Sequence, residues 1–218
     1  MKKLLLLAAI AVSGSTGASA ANLLVNGDFE GSSSPFATPP GWTNIGHTDG
    51  VLSYGLTSQL AYNGLYFYDI GGAGGAGLPS IGDGITQTVA TTIGNTYRLT
   101  FGYSGENGLG LSSVLAVTIG GIVTPFTITS DNAGFFRKAF TTANIDYTAT
   151  SLSTAIAFTL QSATQLGDND PLLDAVSFSQ TATGAVPEPA SWAMLISGFA
   201  VVGISARRRR ARGDSVAA

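Results

Sequence analysis

The sequence contains 218 residues, with 29 glycines, one histidine and no cysteine, and only 11% of its residues are charged. These counts exclude a disulfide framework, a thiolate metal site, a cysteine nucleophile and a multi-histidine zinc site. The charges are segregated, because residues 21–186 contain three basic and eleven acidic side chains, a net charge of −8. We expect no nucleic-acid partner, since binding nucleic acid requires cations that displace phosphate counterions.

The first 20 residues have the three-part pattern of a secretory signal peptide. Two lysines open the segment, and the apolar run from Leu4 to Val12 is too short to span a bilayer. Small residues at Ala18 and Ala20 then place the cleavage site before Ala21. The sequence predicts a signal helix within residues 1–20, its removal by signal peptidase and export of the mature chain.

The middle of the chain, residues 21–185, is predicted to form one all-β domain. Short alternating apolar and polar runs are separated by Gly, Asn, Asp and Pro, and no run forms a convincing amphipathic helix. Gly120 and Gly121 are predicted to form a two-residue hairpin turn between two of the runs. About eight or nine strands in this length favour a jelly-roll β-sandwich with a substantial core. The predicted strands are Leu23–Val25, Leu65–Asp69, Ile85–Val89, Thr96–Tyr103, Leu115–Ile119, Ile122–Ile128, Phe135–Thr141, Thr154–Leu160 and Leu172–Phe178.

The C-terminal region contains an apolar stretch from Ala190 to Ala206 that no charge interrupts. As a helix it is about 25 Å long, near the lower limit for crossing a bilayer. Trp192 lies where an interfacial aromatic residue belongs, and four arginines keep the far end cytoplasmic by the positive-inside rule. The sequence therefore predicts one transmembrane helix, with the body on the outer side of the membrane. The arginines are Arg207, Arg208, Arg209 and Arg210.

Pro187, Glu188 and Pro189, followed by this stretch and its basic end, resemble the PEP-CTERM sorting signal in its variant with Trp and Ala after the motif. The resemblance assigns residues 186–212 to the signal and residues 213–218 to a short tail. It implies a Gram-negative bacterium that produces exopolysaccharide, in which the membrane enzyme exosortase cuts the chain near the Pro-Glu-Pro motif. The helix then anchors the chain only until processing, and the mature body lies at the cell surface or outside the cell.

Two motifs at opposite ends of the body resemble those of galactose-binding-like jelly rolls, which are common among carbohydrate-binding modules. The opening motif runs from Asn22 to Glu30 and is followed by Gly41-Trp42, and the closing motif runs from Pro171 to Phe178. The closing motif departs from the usual pattern at Asp170 and Ala175. The resemblance implies a body that binds glycans.

The same resemblance implies a structural calcium ion where the first and last strands meet. It assigns Asp28 and Glu30 of the opening motif and Asp174 of the closing motif as ligands. Calcium takes six to eight oxygen ligands, which carboxylates and backbone carbonyls supply. The alternative is that Asp28 and Asp174 are exposed acids of a turn and a strand edge.

Candidate glycan contacts come from the aromatic residues of the first third of the body. Trp42, Tyr54 and Tyr62 lie among polar and glycine-rich segments. Sugar rings stack on exposed aromatic faces, and Trp and Tyr combine such a face with a polar group. Core packing is the competing role, above all for Trp42.

No catalytic residues are predicted. The body has two glutamates, Glu30 and Glu106, and nothing in the spacing selects the carboxylate pair that a glycosidase needs. His47 has no Gly-x-Ser-x-Gly nucleophile to serve. We expect a non-enzymatic surface or matrix protein whose jelly roll binds exopolysaccharide or other glycans. The alternative is a purely structural or adhesive matrix protein without a specific ligand, and an extracellular hydrolase is the least favoured class.

Overall fold

The computed structural model describes residues 20–32, 35–53, 59–71, 80–105, 111–129, 139–164, 170–182, 194 and 196–200. The predicted signal helix lies outside these residues, and of the predicted transmembrane helix only residues 194 and 196–200 are described, which are helical. No helix in the described part of the chain is long and apolar enough to cross a membrane. The strands are β1 (Thr43–Ile45), β2 (Gly50–Ser53), β3 (Tyr66–Asp69), β4 (Gly84–Ala90), β5 (Thr96–Gly105), β6 (Ser112–Ile119), β7 (Ile122–Thr129), β8 (Thr141–Thr148), β9 (Ser153–Ala163) and β10 (Pro171–Ala182).

These strands form two five-stranded antiparallel sheets. Sheet A has the order β1-β4-β9-β6-β7, and sheet B has the order β2-β3-β10-β5-β8. The predicted all-β, two-sheet jelly-roll sandwich is therefore confirmed, with ten strands in the described residues rather than eight or nine. Neighbours within each sheet are mostly distant in sequence, so the first and last parts of the body meet in sheet B.

The core lies between the sheets and is rich in aromatic side chains. Phe101 of sheet B packs edge-on against Phe158 of sheet A, with ring centroids 5.3 Å apart. Tyr97 and Phe178 stack within sheet B at 5.1 Å. Each fully buried side chain of this size contributes about 1.5–3 kcal/mol of burial free energy, and the alternation predicted for Thr96–Tyr103 places Tyr97, Leu99 and Phe101 inside.

The hairpin between β6 and β7 forms at the predicted glycine pair. Gly120 and Gly121 have φ values of 56° and 88°, the left-handed region that a two-residue hairpin turn requires and that glycine adopts without strain. The register pairs Ile119 directly with Ile122.

The predicted strand at Leu23–Val25 is wrong, because Leu24 and Val25 form hydrogen bonds with side chains instead of with a neighbouring strand. The amide of Val25 donates to Oε1 of Gln87 at 2.8 Å, and Nε2 of Gln87 donates to the Val25 carbonyl at 3.1 Å. Leu24 donates to Oδ1 of Asn22 at 3.1 Å. A glutamine amide presents one donor and one acceptor, so Gln87 pairs with Val25 as a peptide group of a neighbouring strand would.

Three strands were not predicted. β1 and β2 have only three and four residues, too short for a visible alternation. β8 begins at Thr141, where the predicted strand Phe135–Thr141 ends, and continues to Thr148. Residues 135–138 of that predicted strand lie outside the described residues.

Candidate functional site

The opening and closing motifs meet along β10. The amide of Leu23 donates to the Phe178 carbonyl at 2.8 Å, and the amide of Val176 donates to the Gly27 carbonyl at 2.7 Å. A Cβ added to Gly27 would lie 2.0 Å from the carbonyl oxygen of Val176. Only glycine therefore fits at position 27 while the backbones of residues 27 and 176 lie this close. The hydrogen bond between Val176 and Gly27 holds the opening motif against the closing motif.

Two carboxylates of these motifs converge on the segment that leads into β3. Oε1 of Glu30 accepts hydrogen bonds from the amides of Leu65 at 2.6 Å and Tyr66 at 2.7 Å. Oδ2 of Asp174 accepts a hydrogen bond from the amide of Asn63 at 2.9 Å. Both acids thus fix residues 63–66, which we call the β3 entry segment.

A glycine within the β3 entry segment makes this approach possible. Gly64 has a φ of 76°, and a Cβ at this position would lie 2.3 Å from Oε1 of Glu30. Any other residue would meet both a strained backbone and a steric clash with Glu30.

Asp174 is fully buried, and its charge has little compensation. Burial above all, with a smaller contribution from the charge of Glu30, raises the pKa of its carboxyl to about 7. Hydrogen bonds from the backbone of Asn63, Ala175 and Tyr62 oppose this shift. The environment therefore favours a proton or a cation at Asp174.

Among the described residues, no basic side chain lies beside Asp174 to supply that positive charge. Arg98 is the only Lys or Arg in residues 20–182 that the structure describes, and it forms an exposed bidentate ion pair with Asp146 at 2.7 and 2.8 Å. The two carboxylates of Glu30 and Asp174 thus form a local concentration of negative charge with oxygen donors, which suits a hard cation such as Ca²⁺.

The predicted third ligand does not join them. Asp28 is exposed, and its Oδ1 accepts a hydrogen bond from the amide of Glu30 at 3.4 Å. Among the described residues, no group of three or more His, Cys, Asp or Glu side chains is arranged to hold a metal ion. The assignment of Asp28 is therefore corrected, because its short side chain serves the local turn. A metal at Glu30 and Asp174 would take its remaining oxygens from backbone carbonyls and water.

The candidate aromatic residues have different positions. Trp42 is 6% exposed, packs against Phe29 and Phe158, and donates from Nε1 to the Asn26 carbonyl at 3.1 Å. Its role as a glycan contact is therefore corrected to core packing. Tyr54 lies outside the described residues.

Tyr62 is 51% exposed and lies over the outer face of sheet B. Its ring covers Gly102 of β5, where an added Cβ would approach Cγ of Tyr62 to 3.2 Å. Its hydroxyl accepts a hydrogen bond from Oγ1 of Thr142 in β8 at 3.0 Å. A side chain at position 102 would displace the ring, so this glycine sets the position of Tyr62.

A row of polar side chains continues from Tyr62 along β5 and β8. Thr100 donates to Oδ1 of Asn144 at 2.6 Å, and the Arg98–Asp146 ion pair follows. The register pairs these residues directly across the two strands. We call Tyr62, Thr142, Asn144, Asp146 and Arg98 the sheet B row.

Sequence reasoning identified only Tyr62 in this row. The other members depend on the pairing of β5 with β8, and β8 was not predicted. The signal was present in Ala143, Ile145 and Tyr147, whose alternation turns their polar neighbours outward.

The residues of the two processing signals lie mostly outside the described part of the chain. This holds for Ala18, for Pro187, Glu188, Pro189 and Trp192, and for the four arginines. Ala20 and Ala21, which flank the predicted signal cleavage site, are exposed and line a groove of about 550 Å³ together with Gln180 and Thr181.

Solved structures similar to this chain are carbohydrate-binding modules. A xylan-binding domain of family CBM22 is 16% identical with a TM-score of 0.49, over 76% of this chain and 99% of that one. TmCBM61, solved in complex with β-1,4-galactotriose, is 18% identical with a TM-score of 0.47, over 73% and 99%. A CBM4 structure is 14% identical with a TM-score of 0.45, over 72% and 99%.

No curated protein matches the sequence. At the C-terminus, a family model described as the PEP-CTERM protein-sorting motif matches residues 185–210. The chain therefore carries a PEP-CTERM sorting signal at the place where the sequence predicted one.

Proposed function

We propose that this chain is an exported, non-catalytic surface or matrix protein that binds glycans on the outer face of sheet B. The exposed ring of Tyr62 beside the sheet B row carries this proposal. The sorting signal at residues 185–210 supports export and processing by exosortase. After export, the body would lie at the cell surface or in the extracellular matrix, among the polysaccharides it would bind.

The chemistry of the sheet B row suits a sugar chain. Tyr62 offers a half-exposed ring for stacking on a pyranose face. Asn144, Asp146 and Arg98 are exposed and offer amide, carboxylate and guanidinium groups for hydroxyls. The row runs along two strands on an open face, so it fits an extended polysaccharide better than a small enclosed ligand.

The carboxylate of the row is suited to binding and not to proton transfer. Asp146 is paired with Arg98, whose hydrogen bonds lower the pKa of that carboxyl. A general acid requires the opposite shift, towards neutral pH. Asp146 is therefore not suited to act as a general acid, and we infer that this face binds glycans.

A structural calcium ion forms the second part of the proposal. Glu30 and Asp174 would hold the ion, which would supply positive charge to two carboxylates that have no basic partner among the described residues. The backbone of Tyr62 hydrogen-bonds to Asp174. Calcium at this site would therefore fix the segment that carries the proposed stacking ring.

The test is binding of the purified protein to immobilised polysaccharides, including xylan, β-1,4-galactan and acidic exopolysaccharide. Tyr62→Ala should weaken binding about tenfold, since a lost aromatic contact is worth about 0.5–1.5 kcal/mol beyond its area. Thr88→Ala on the outer face of sheet A is the matched control and should bind as the wild type does. Equal binding by Tyr62→Ala and the wild type would refute glycan binding on the outer face of sheet B.

One observation favours a second function, a structural or adhesive matrix protein without a specific ligand. The outer face of sheet A carries uncharged, non-aromatic side chains at the strand positions named below, which suits packing rather than sugar recognition. Failure of the wild type to bind any polysaccharide would favour this function. The residues of that face are Thr43, Ile45, Gly84, Thr86, Thr88, Val114, Ala116, Thr118, Val123, Pro125, Thr127, Ala155, Ala157 and Thr159.

A further inference from the structure

One end of the sandwich is formed by three neighbouring turns. The turn between β4 and β5 bonds to the turn between β8 and β9, since Thr91 donates to the Leu152 carbonyl at 2.9 Å and Gly94 donates to the Ala149 carbonyl at 2.8 Å. The β6–β7 hairpin lies beside them, since Gly120 donates to the carbonyl of Ala155 near the start of β9 at 2.9 Å. We call this surface, residues 91–95, 120–123 and 149–152, the turn end.

The turn end exposes large aliphatic side chains at the tips of its turns. Ile93 is 58% exposed, Leu152 is 70% exposed and Ile122 is 63% exposed. The turn end contains no charged residue, whereas residues 21–186 as a whole have a net charge of −8. The turn end is thus an apolar, uncharged tip on a strongly acidic body, and exposed apolar patches of this kind often mark interaction sites.

Both ends of the described body lie at the turn end. Ala182, the last residue of β10, pairs with Thr96, which directly follows the β4–β5 turn. At the other end of the chain, Ala20 and Ala21 line one groove with Thr92 and Thr181. The predicted signal peptide and the sorting signal therefore both join the body at this end.

The distance to the membrane is limited by the sequence. Seven residues, 183–189, separate Ala182 from the apolar stretch that begins at Ala190. Fully extended, seven residues span at most about 25 Å. While that stretch is in the bilayer, the turn end is held within this distance of the lipid surface.

We propose that the turn end is a membrane-facing surface, on which Ile93, Leu152 and Ile122 rest against the lipid bilayer while the sorting signal is attached. The aliphatic tips lose contact with water at the headgroup boundary, as the apolar face of an interfacial helix does. The absence of charge on these turns lets them approach anionic lipid without repulsion. Removal of the sorting signal ends the tether, so this contact belongs to the unprocessed chain.

The experiment uses the full chain, reconstituted in vesicles of phosphatidylethanolamine and phosphatidylglycerol. Because the sequence has no cysteine, a single cysteine introduced at Ile93 or Leu152 can carry a polarity-sensitive fluorophore. Ile81→Cys is the matched control, since Ile81 and Ile93 are 56% and 58% exposed and lie before and after β4. Seven strand residues separate them by about 23 Å.

The expected result is a blue shift of the emission of labelled Ile93→Cys and Leu152→Cys, with loss of intensity when the lipid carries a nitroxide quencher. Labelled Ile81→Cys should show neither. Leu152→Ser should reduce the shift of the label at position 93, because it removes a neighbouring aliphatic tip. Thermal unfolding of each variant verifies that the fold is retained.

Two results would overturn the proposal. One is water-like emission at positions 93 and 152 in vesicles, equal to that at position 81. The other is a blue shift that appears without lipid and grows with protein concentration, which would show that a second copy of the chain covers the turn end.

Discussion

The buried carboxylate of Asp174 should make the metal-free protein less stable as the pH rises. Its pKa is raised to about 7 in the folded state, whereas an aspartate in an unfolded chain has a pKa of about 3.9. Between these values the folded state holds a proton that the unfolded state has lost, so the free energy of unfolding falls with increasing pH. The loss is complete above pH 7 and amounts to about 4 kcal/mol, at about 1.36 kcal/mol for each pKa unit.

Asp174→Asn tests this reasoning directly, because the amide has the shape of the protonated acid and never ionises. In the presence of a chelator, the variant should match the wild type at about pH 4 and exceed it by up to about 4 kcal/mol at about pH 8. The measurement is urea unfolding followed by tryptophan fluorescence, since Trp42 is buried in the core. Parallel pH profiles for the two proteins would refute the assignment of a buried, uncompensated charge.

Calcium should narrow this difference in the free energy of unfolding at about pH 8. The wild type gains stability because the ion binds only the folded state, by about 2.7 kcal/mol at a calcium concentration one hundred times its Kd. Asp174→Asn should gain little stability from calcium, since it lacks the carboxylate that would bind the ion. Acidification should remove the calcium-dependent gain of the wild type, because Asp174 then takes up a proton. Asp28→Asn is the control and should keep the full gain, because Asp28 lies outside the carboxylate pair. A wild-type midpoint that does not respond to calcium would end the calcium proposal.

Further predictions concern the backbone of the two motifs and the proposed stacking ring. Gly27→Ala should destabilise the protein by about 2–3 kcal/mol, since the new Cβ would overlap the Val176 carbonyl; an unchanged urea midpoint would contradict this close approach. Ala175 has a φ of 49°, so Ala175→Asn should raise the free energy of unfolding by about 0.5–1 kcal/mol, because asparagine tolerates the left-handed region better than alanine. If calcium fixes Tyr62, a chelator should weaken polysaccharide binding by the wild type and leave the residual binding of Tyr62→Ala unchanged.

The fold was predictable where alternation is long enough to be seen. β5, β6 and β9 have seven or more residues and alternate between core and surface, and the sequence predicted all three. The opening segment at Leu23–Val25 is as apolar as a strand, but the side chains of Asn22 and Gln87 supply the hydrogen bonds of Leu24 and Val25. A hydrophobic pattern predicts which residues are buried. It does not predict whether a backbone amide donates its hydrogen bond to a neighbouring strand or to a side chain.

The candidate site was predictable only in part, because it depends on which segments meet. Resemblance to known motifs nominated Glu30 and Asp174, and both contact the β3 entry segment. It also nominated Asp28, two residues before Glu30, whose side chain points to the local turn instead. The exposure of Tyr62 depends on Gly102 and Thr142, which are distant in sequence and belong to different strands.

The turn end and the sheet B row can act at the same time, because they lie at different positions along β5. β5 begins with Thr96 at the turn end and reaches Gly102, under the ring of Tyr62, six residues later. Six strand residues correspond to about 20 Å. With β5 normal to the membrane, a body whose turn end rests on the bilayer holds Tyr62 about 20 Å farther from the lipid. Anchoring and glycan binding then need no rearrangement of the sandwich, and glycan binding by the sheet B row should persist when the sorting signal is removed.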